Sequence, residues 1–166
     1  MKKRKVYISI VLSLLLWGCN TWSGDKTGVS GPALADAATG GQNLPITSSF
    51  KVKDQVIELE VARTPEQQET GLMYRTSLPR NRGMLFPFPS PRITRFWMKN
   101  VYIPLDMVFL KDGQIKEILA NVPPCKADPC PVYGTDGLVD AVIELSGGRA
   151  GELGLKPGDR INIISQ

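Results

Sequence analysis

The sequence predicts a mainly β protein: a single domain of the β-sandwich or barrel-like kind, with one or two short helices. Three features of its 166 residues point there. Short apolar runs alternate with polar residues at period two, and Gly, Pro, Asn and Asp separate them at close intervals. No helical pattern is long enough to serve as a crossover, so a parallel α/β sheet is disfavoured. About 115 residues remain after the N-terminal segments, enough to enclose one hydrophobic core. The boundaries predicted are residues 1–18 for a leader, 19–48 for a tether and 49–166 for the β-rich domain.

The leader opens with Lys2, Lys3, Arg4 and Lys5 and continues as an apolar run over residues 6–17, interrupted only by Ser9 and Ser13. That order is the pattern of a signal peptide. The run falls short of the roughly 20 residues that a membrane-spanning helix needs. It ends in Leu16-Trp17-Gly18-Cys19, which resembles a bacterial lipobox, although Trp17 replaces the usual small residue. The expectation is lipidation of Cys19 and a membrane anchor in the cell envelope. The alternative is an ordinary cleaved leader with an incidental cysteine. Two or more acyl chains hold a protein on a bilayer where one is marginal. Residues 20–48 carry Gly, Pro, Ser, Thr and Ala without a period. They read as a coil spanning roughly 30 Å on average.

The folded part is expected from about Phe50. A strand covers residues 50–62, with Ile57, Leu59 and Val61 on one side and Glu58 and Glu60 on the other, and Asp54-Gln55 can fold it into a hairpin. Thr64-Pro65-Glu66-Gln67 is a helix start, with Thr64 as N-cap and Gln67 closing a capping box; Gly71 ends the helix. Residues 84–86 form a short strand, after which Pro87, Pro89 and Pro91 forbid regular pairing. Residues 94–100 alternate as a strand, and residues 105–110 form an apolar one. Lys111-Asp112-Gly113-Gln114 is a hairpin turn into residues 115–119. Residues 138–145 make a further strand, broken by Gly147-Gly148. One helical turn over 149–153 precedes a last strand at 160–164.

Charge and cysteine content narrow the function. The net charge of +4 comes from the leader alone: without its four cations, 16 basic residues face 16 acidic ones. Nucleic-acid binding through bulk charge is therefore not expected. Of three cysteines, lipidation of Cys19 would leave Cys125 and Cys130 to form a disulfide in an oxidising compartment. So short a loop contributes only about 2 kcal/mol by loop entropy. The chain has no histidine. That removes Ser-His-Asp and Cys-His catalysis and the usual base near neutral pH. No metal or cofactor is expected, since zinc takes about four nitrogen or sulfur ligands. Met73, Met84, Met98 and Met107 are soft enough for Cu(I), but filling a core is their commoner use.

Between Glu69 and Asp106 lie Arg75, Arg80, Arg82, Arg92, Arg95 and Lys99, with no acidic residue. Within this band, alternation puts Phe96 and Met98 inward and Arg95, Trp97 and Lys99 outward. An indole between two cations is either a strand surface covered by basic stems or a platform. In the second case Trp97 stacks on a sugar or ring while Arg95 and Lys99 take a carboxylate or phosphate. Asp106 stands in an otherwise apolar strand. Such a carboxylate is either held by a structural partner or tuned for chemistry. Its nearest partners in sequence are Arg95, Trp97, Lys99 and Asn100. Glu144, in Val142-Ile143-Glu144-Leu145, repeats the pattern, and the two could form a carboxylate pair.

Five motifs resemble a known family: Gly71-Leu72-Met73-Tyr74-Arg75, Gly83-Met84-Leu85-Phe86, Phe96-Trp97-Met98-Lys99-Asn100, Pro104-Leu105-Asp106 and Ile143-Glu144-Leu145 followed by Gly148. Their order over about residues 56–163 is that of the bacterial and archaeal domain of unknown function family 192. The resemblance implies a mainly β, sandwich-like fold, often exported, and no established activity. The function expected is a membrane-tethered, extracytoplasmic binding or accessory module. It would recognise an anionic or carbohydrate ligand through Arg75, Arg95, Trp97, Lys99 and Asn100, with Asp106 supporting them. Two alternatives stand beside it: a histidine-free hydrolase of envelope glycans using Asp106 and Glu144, and a structural protein-interaction domain. The sequence names no protein partner.

Overall fold

The structure, a computed structural model, describes residues 41–166. The leader, Cys19 and residues 19–40 of the expected tether lie outside the described residues. The fold is mainly β, with nine strands and two short helices. The strands are β1 (Ile46–Val52), β2 (Gln55–Val61), β3 (Arg82–Arg92), β4 (Arg95–Trp97), β5 (Leu105–Lys111), β6 (Gln114–Val122), β7 (Val132–Gly134), β8 (Val139–Ser146) and β9 (Ile163–Ser165). The helices are α1 (Pro65–Thr70) and α2 (Arg149–Leu153). Seven strands form one sheet in the order β6-β5-β8-β3-β2-β1-β9, and β4 and β7 form a separate ribbon. Gln114, at the start of β6, bridges to Arg160 ahead of β9, but the sheet does not close into a barrel.

Local chemistry explains most elements. Thr64 accepts from the Gln67 backbone while the Gln67 side chain accepts from Thr64, the capping box expected at this position. At the β5–β6 turn Asp112 and Gly113 both have positive φ, 51° and 72°, as a two-residue hairpin loop requires. Six of the seven β5 residues are buried, because the sheet is covered on both faces. One face carries Met84, Phe86, Met107, Phe109 and Val142 under the loops of residues 71–78 and 96–103. The other carries Ile57, Leu59, Leu85, Val108, Ile143 and Leu145 against Ala150 and Leu153 of α2. Met84, Met98 and Met107 are fully buried, so they fill core.

The expected mainly β fold, rather than a parallel α/β one, is what forms, and four details of it differ from expectation. The sheet contains one parallel pair, β2 with β3. Residues 62–81 carry the chain across, and α1 is only part of that connection; length, not helicity, makes a crossover possible. Folded structure also starts before residue 49: Gln42 donates to the carbonyls of Gln67 and Gly71 at 2.7 and 3.0 Å, and β1 opens at Ile46. The strand expected over 94–100 is only three residues long, because Asn100 takes a positive φ of 58°. Finally, β3 extends through its prolines to Arg92, with its register to β8 shifting between Pro87 and Arg92. Proline weakens the ladder there without ending it. Cys125 and Cys130 are disulfide-bonded, with Cα atoms 5.6 Å apart.

Candidate functional site

The residues expected to bind ligand divide into two groups. Arg75, Asn100 and Asp106 hold the scaffold. Arg75 forms a bidentate pair with Glu60 at 2.7 and 2.6 Å and donates to the Gln42 carbonyl. Both terminal nitrogens of its guanidinium are engaged inside the protein, while Nε has no partner among the described residues. Asn100 donates to the Tyr74 hydroxyl at 2.9 Å, and its carbonyl accepts from the Tyr74 amide at 2.7 Å. Tyr74 itself has a φ of 65°, rare for a bulky residue. The two motifs thus lock each other, with Asn100 as their clasp.

Asp106 is fully buried and meets none of Arg95, Trp97, Lys99 or Asn100. Its carboxylate accepts three backbone N–H bonds: from Asn121 at 2.7 Å, Gly148 at 2.8 Å and Ala150 at 2.7 Å. Gly148 caps α2, so one side chain ties β6, the glycine turn and that helix together. Asp106 faces the α2 side of the sheet. Glu144 shares the opposite face with Met84 and Met107, its neighbours in register. The expected carboxylate pair is therefore split by the sheet itself, because adjacent strand positions point to opposite faces.

Trp97, Arg95 and Glu144 belong to a cleft on that opposite face. Its inner pocket, about 30 Å³, is lined by Glu69, Met73, Phe86, Phe96, Trp97 and Glu144, among others. An outer trough of about 270 Å³ shares Gln68, Glu69, Phe86, Phe96 and Trp97 and adds Phe88, Arg92 and Arg95. Each wall has a local cause. The Gln68 side chain donates to the carbonyls of Ala62 and Pro87 at 3.1 and 3.0 Å, pinning α1 beside β3. Gly71 leaves α1 at a φ of 46°, where a Cβ would press on the Phe86 ring at 3.4 Å. Phe96 packs edge-on between Phe86 and Phe109, with centroids 5.3 and 6.3 Å away. Trp97 pairs with Val132 on the ribbon and stays 43% exposed.

The cations around the cleft are partly committed. Arg95 donates to the Thr94 and Thr135 carbonyls at 3.1 and 2.5 Å and pairs with Asp136 at 2.8 Å. Arg92 stacks over Phe88 at 4.1 Å, and Lys99 lies over the Trp97 ring at 5.4 Å. Glu144, on the floor, is only 5% exposed. Among the described residues no group donates to its carboxyl, and burial alone pushes its pKa up to about 8. The sequence marked Glu144 as a carboxylate in an apolar strand, yet gave no sign that α1 would bring Glu69 and Gln68 over it. Those two residues lie far from it in the chain and carry no pattern of their own.

Comparison with known proteins agrees with the five motifs. The DUF192 family, described as an uncharacterized ACR, matches residues 48–163, and the chain belongs to it. No curated protein matches the chain. Two crystal structures are similar to it. One, from Sinorhizobium meliloti 1021, is provisionally described as a transcription regulator: 34% identity over 74% of this chain and 97% of that one, TM-score 0.66. The other, from Novosphingobium aromaticivorans DSM 12444, is described as a protein of unknown function: 34% identity over 81% of this chain and 99% of that one, TM-score 0.65.

Proposed function

We propose that this DUF192 domain is a membrane-tethered, extracytoplasmic binding module that takes an anionic or carbohydrate ligand in the cleft beside Trp97. The observation that carries this is the half-exposed indole on a preformed trough that also includes Arg92 and Arg95. An indole held on the β4–β7 ribbon can stack on a sugar face at little ordering cost. The two guanidinium groups offer anion contacts at its rim. Arg75 and Asn100 serve this site by holding the segments beside it, and Asp106 steadies the opposite face of the sheet. The export part of the proposal rests on the leader, on Cys19 and on the disulfide between Cys125 and Cys130.

The test uses the full chain with Trp17 and Trp22 replaced by Phe, so that Trp97 is the sole indole. N-acetylglucosamine or inorganic phosphate should change its fluorescence saturably, and Trp97→Ala should abolish binding while leaving the thermal midpoint nearly unchanged. A midpoint that collapses on Trp97→Ala would make the indole core and remove the platform. For the anchor, radiolabelled palmitate should enter the wild-type chain and not Cys19→Ser.

A further inference from the structure

Resting on the cleft reading above, we propose that the inner pocket takes an organic ammonium group, with Glu144 as its counter-ion, while the ligand's body lies in the outer trough. Three observations carry this. The first is charge. The inner pocket includes two carboxyl groups, Glu144 and Glu69, and no lysine or arginine lines it. The outer trough adds two guanidinium groups, Arg92 and Arg95. The cleft thus suits a ligand that is cationic at its tip and anionic or hydroxylated behind it. An amino sugar or an amino acid derivative has that form.

The second observation is a carboxyl that faces the pocket with no protein donor among the described residues. A buried carboxyl without a donor is costly, and folds normally satisfy such groups. Asp106, on the adjacent strand one register step away and on the other face, is satisfied three times over. Glu144 has no donor among the described residues, and it lines the pocket. An ammonium group brings three donors and the opposite charge.

The third is size and wall chemistry. One water needs about 10–15 Å³ on this measure, so a pocket of about 30 Å³ fits an ammonium with its first carbon and excludes a sugar ring. Its walls include Phe86, Phe96 and Trp97, and aromatic faces attract desolvated cations. The Met73 thioether adds a soft, polarisable contact.

Binding would then move one proton. Glu144 is protonated at neutral pH because burial raises its pKa to about 8; the incoming ammonium ionises it, and the proton leaves to solvent. The other charged groups around it are Glu69 from α1, Arg92 and Arg95 at the trough, and Lys99 above Trp97. Its strand neighbours Met84 and Met107 do not titrate.

Methylammonium chloride is the probe, against sodium chloride at equal ionic strength, in an NMR titration of the full chain following the Trp97 indole. Affinity should rise about tenfold from pH 6 to 7 and then level off through pH 8, because only the ionised form binds. Glu144→Gln should remove binding at every pH while the spectrum stays folded. Glu69→Gln should weaken binding several-fold and leave its pH dependence intact. Methylammonium affinity that is flat with pH, or unchanged in Glu144→Gln, overturns the inference. If methylammonium leaves Trp97 unmoved while N-acetylglucosamine or phosphate moves it, this inference falls and the cleft stands. If none of the three moves Trp97, both fall.

Discussion

Asp106 pairs with Leu145, one position out of register with Glu144, and that single step places the two carboxyls on opposite faces of the same sheet. On the α2 face, the carboxylate is a knot of three backbone bonds. On the cleft face, the carboxyl has no donor among the described residues. Two residues that look alike in sequence thus have opposite consequences for stability, and each can be measured.

Asp106→Ala orphans three buried N–H groups and removes three charge-assisted bonds. The expected cost is about 3–5 kcal/mol, read from urea unfolding. Asp106→Asn keeps one acceptor and should cost less. A loss under about 1 kcal/mol would mean that water replaces the carboxylate at the glycine turn.

Glu144 makes stability fall as pH rises. Its folded pKa of about 8 exceeds the ordinary 4.5. The folded state therefore binds more protons than the unfolded state between those values. The contribution is fully present below pH 4.5 and is lost as pH climbs through 8. The whole window amounts to several kcal/mol, at about 1.4 kcal/mol per pKa unit. Thermal melts from pH 5 to 9 should show the decline, and Glu144→Gln should flatten it. A wild-type slope identical to that of Glu144→Gln would place the carboxyl in contact with water.

Arg75→Ala leaves Glu60 buried with only the Leu44 amide to meet it at 2.8 Å. Breaking one half of a buried ion pair costs about 3 kcal/mol or more. Because Arg75 also holds the Gln42 carbonyl, hydrogen exchange should accelerate at residues 42–46. Arg75→Lys should recover little, since a point charge cannot reproduce the fork.

Replacing Cys125 and Cys130 by serine opens a short loop and should cost about 2 kcal/mol. The Cys125 amide donates to the Met98 carbonyl at 3.2 Å, so the freed loop should also loosen the segment beside Trp97. The Trp97 indole resonance should broaden in the double variant; an unchanged line would show that the loop and the cleft are independent.

Much of this architecture was legible in the chain. The capping box at Thr64, the Asp112-Gly113 turn, the two-sided apolar pattern of β5 and the glycine break after β8 are short-range signals, written within a few neighbouring residues. The parallel β2–β3 pair was not legible, because a crossover need not be mainly helical and the connection over residues 62–81 holds only the short α1. The clasp between Tyr74 and Asn100 was invisible for a similar reason: each takes a left-handed backbone, and the bonds that join them cross 26 residues of chain.

For the candidate site, sequence alone determined which residues were out of place: a tryptophan between cations, and two carboxylates in apolar strands. Local pattern can show such anomalies because they break a period of two. Tertiary structure decided what each anomaly is for. Register sent Asp106 to backbone donors on one face and Glu144 to the floor of a cleft on the other. The approach of α1 then added Glu69 and Gln68 to a wall that no local spacing encodes. Partners of a buried charge come from strands and loops tens of residues away, and only the folded chain brings them within bonding distance.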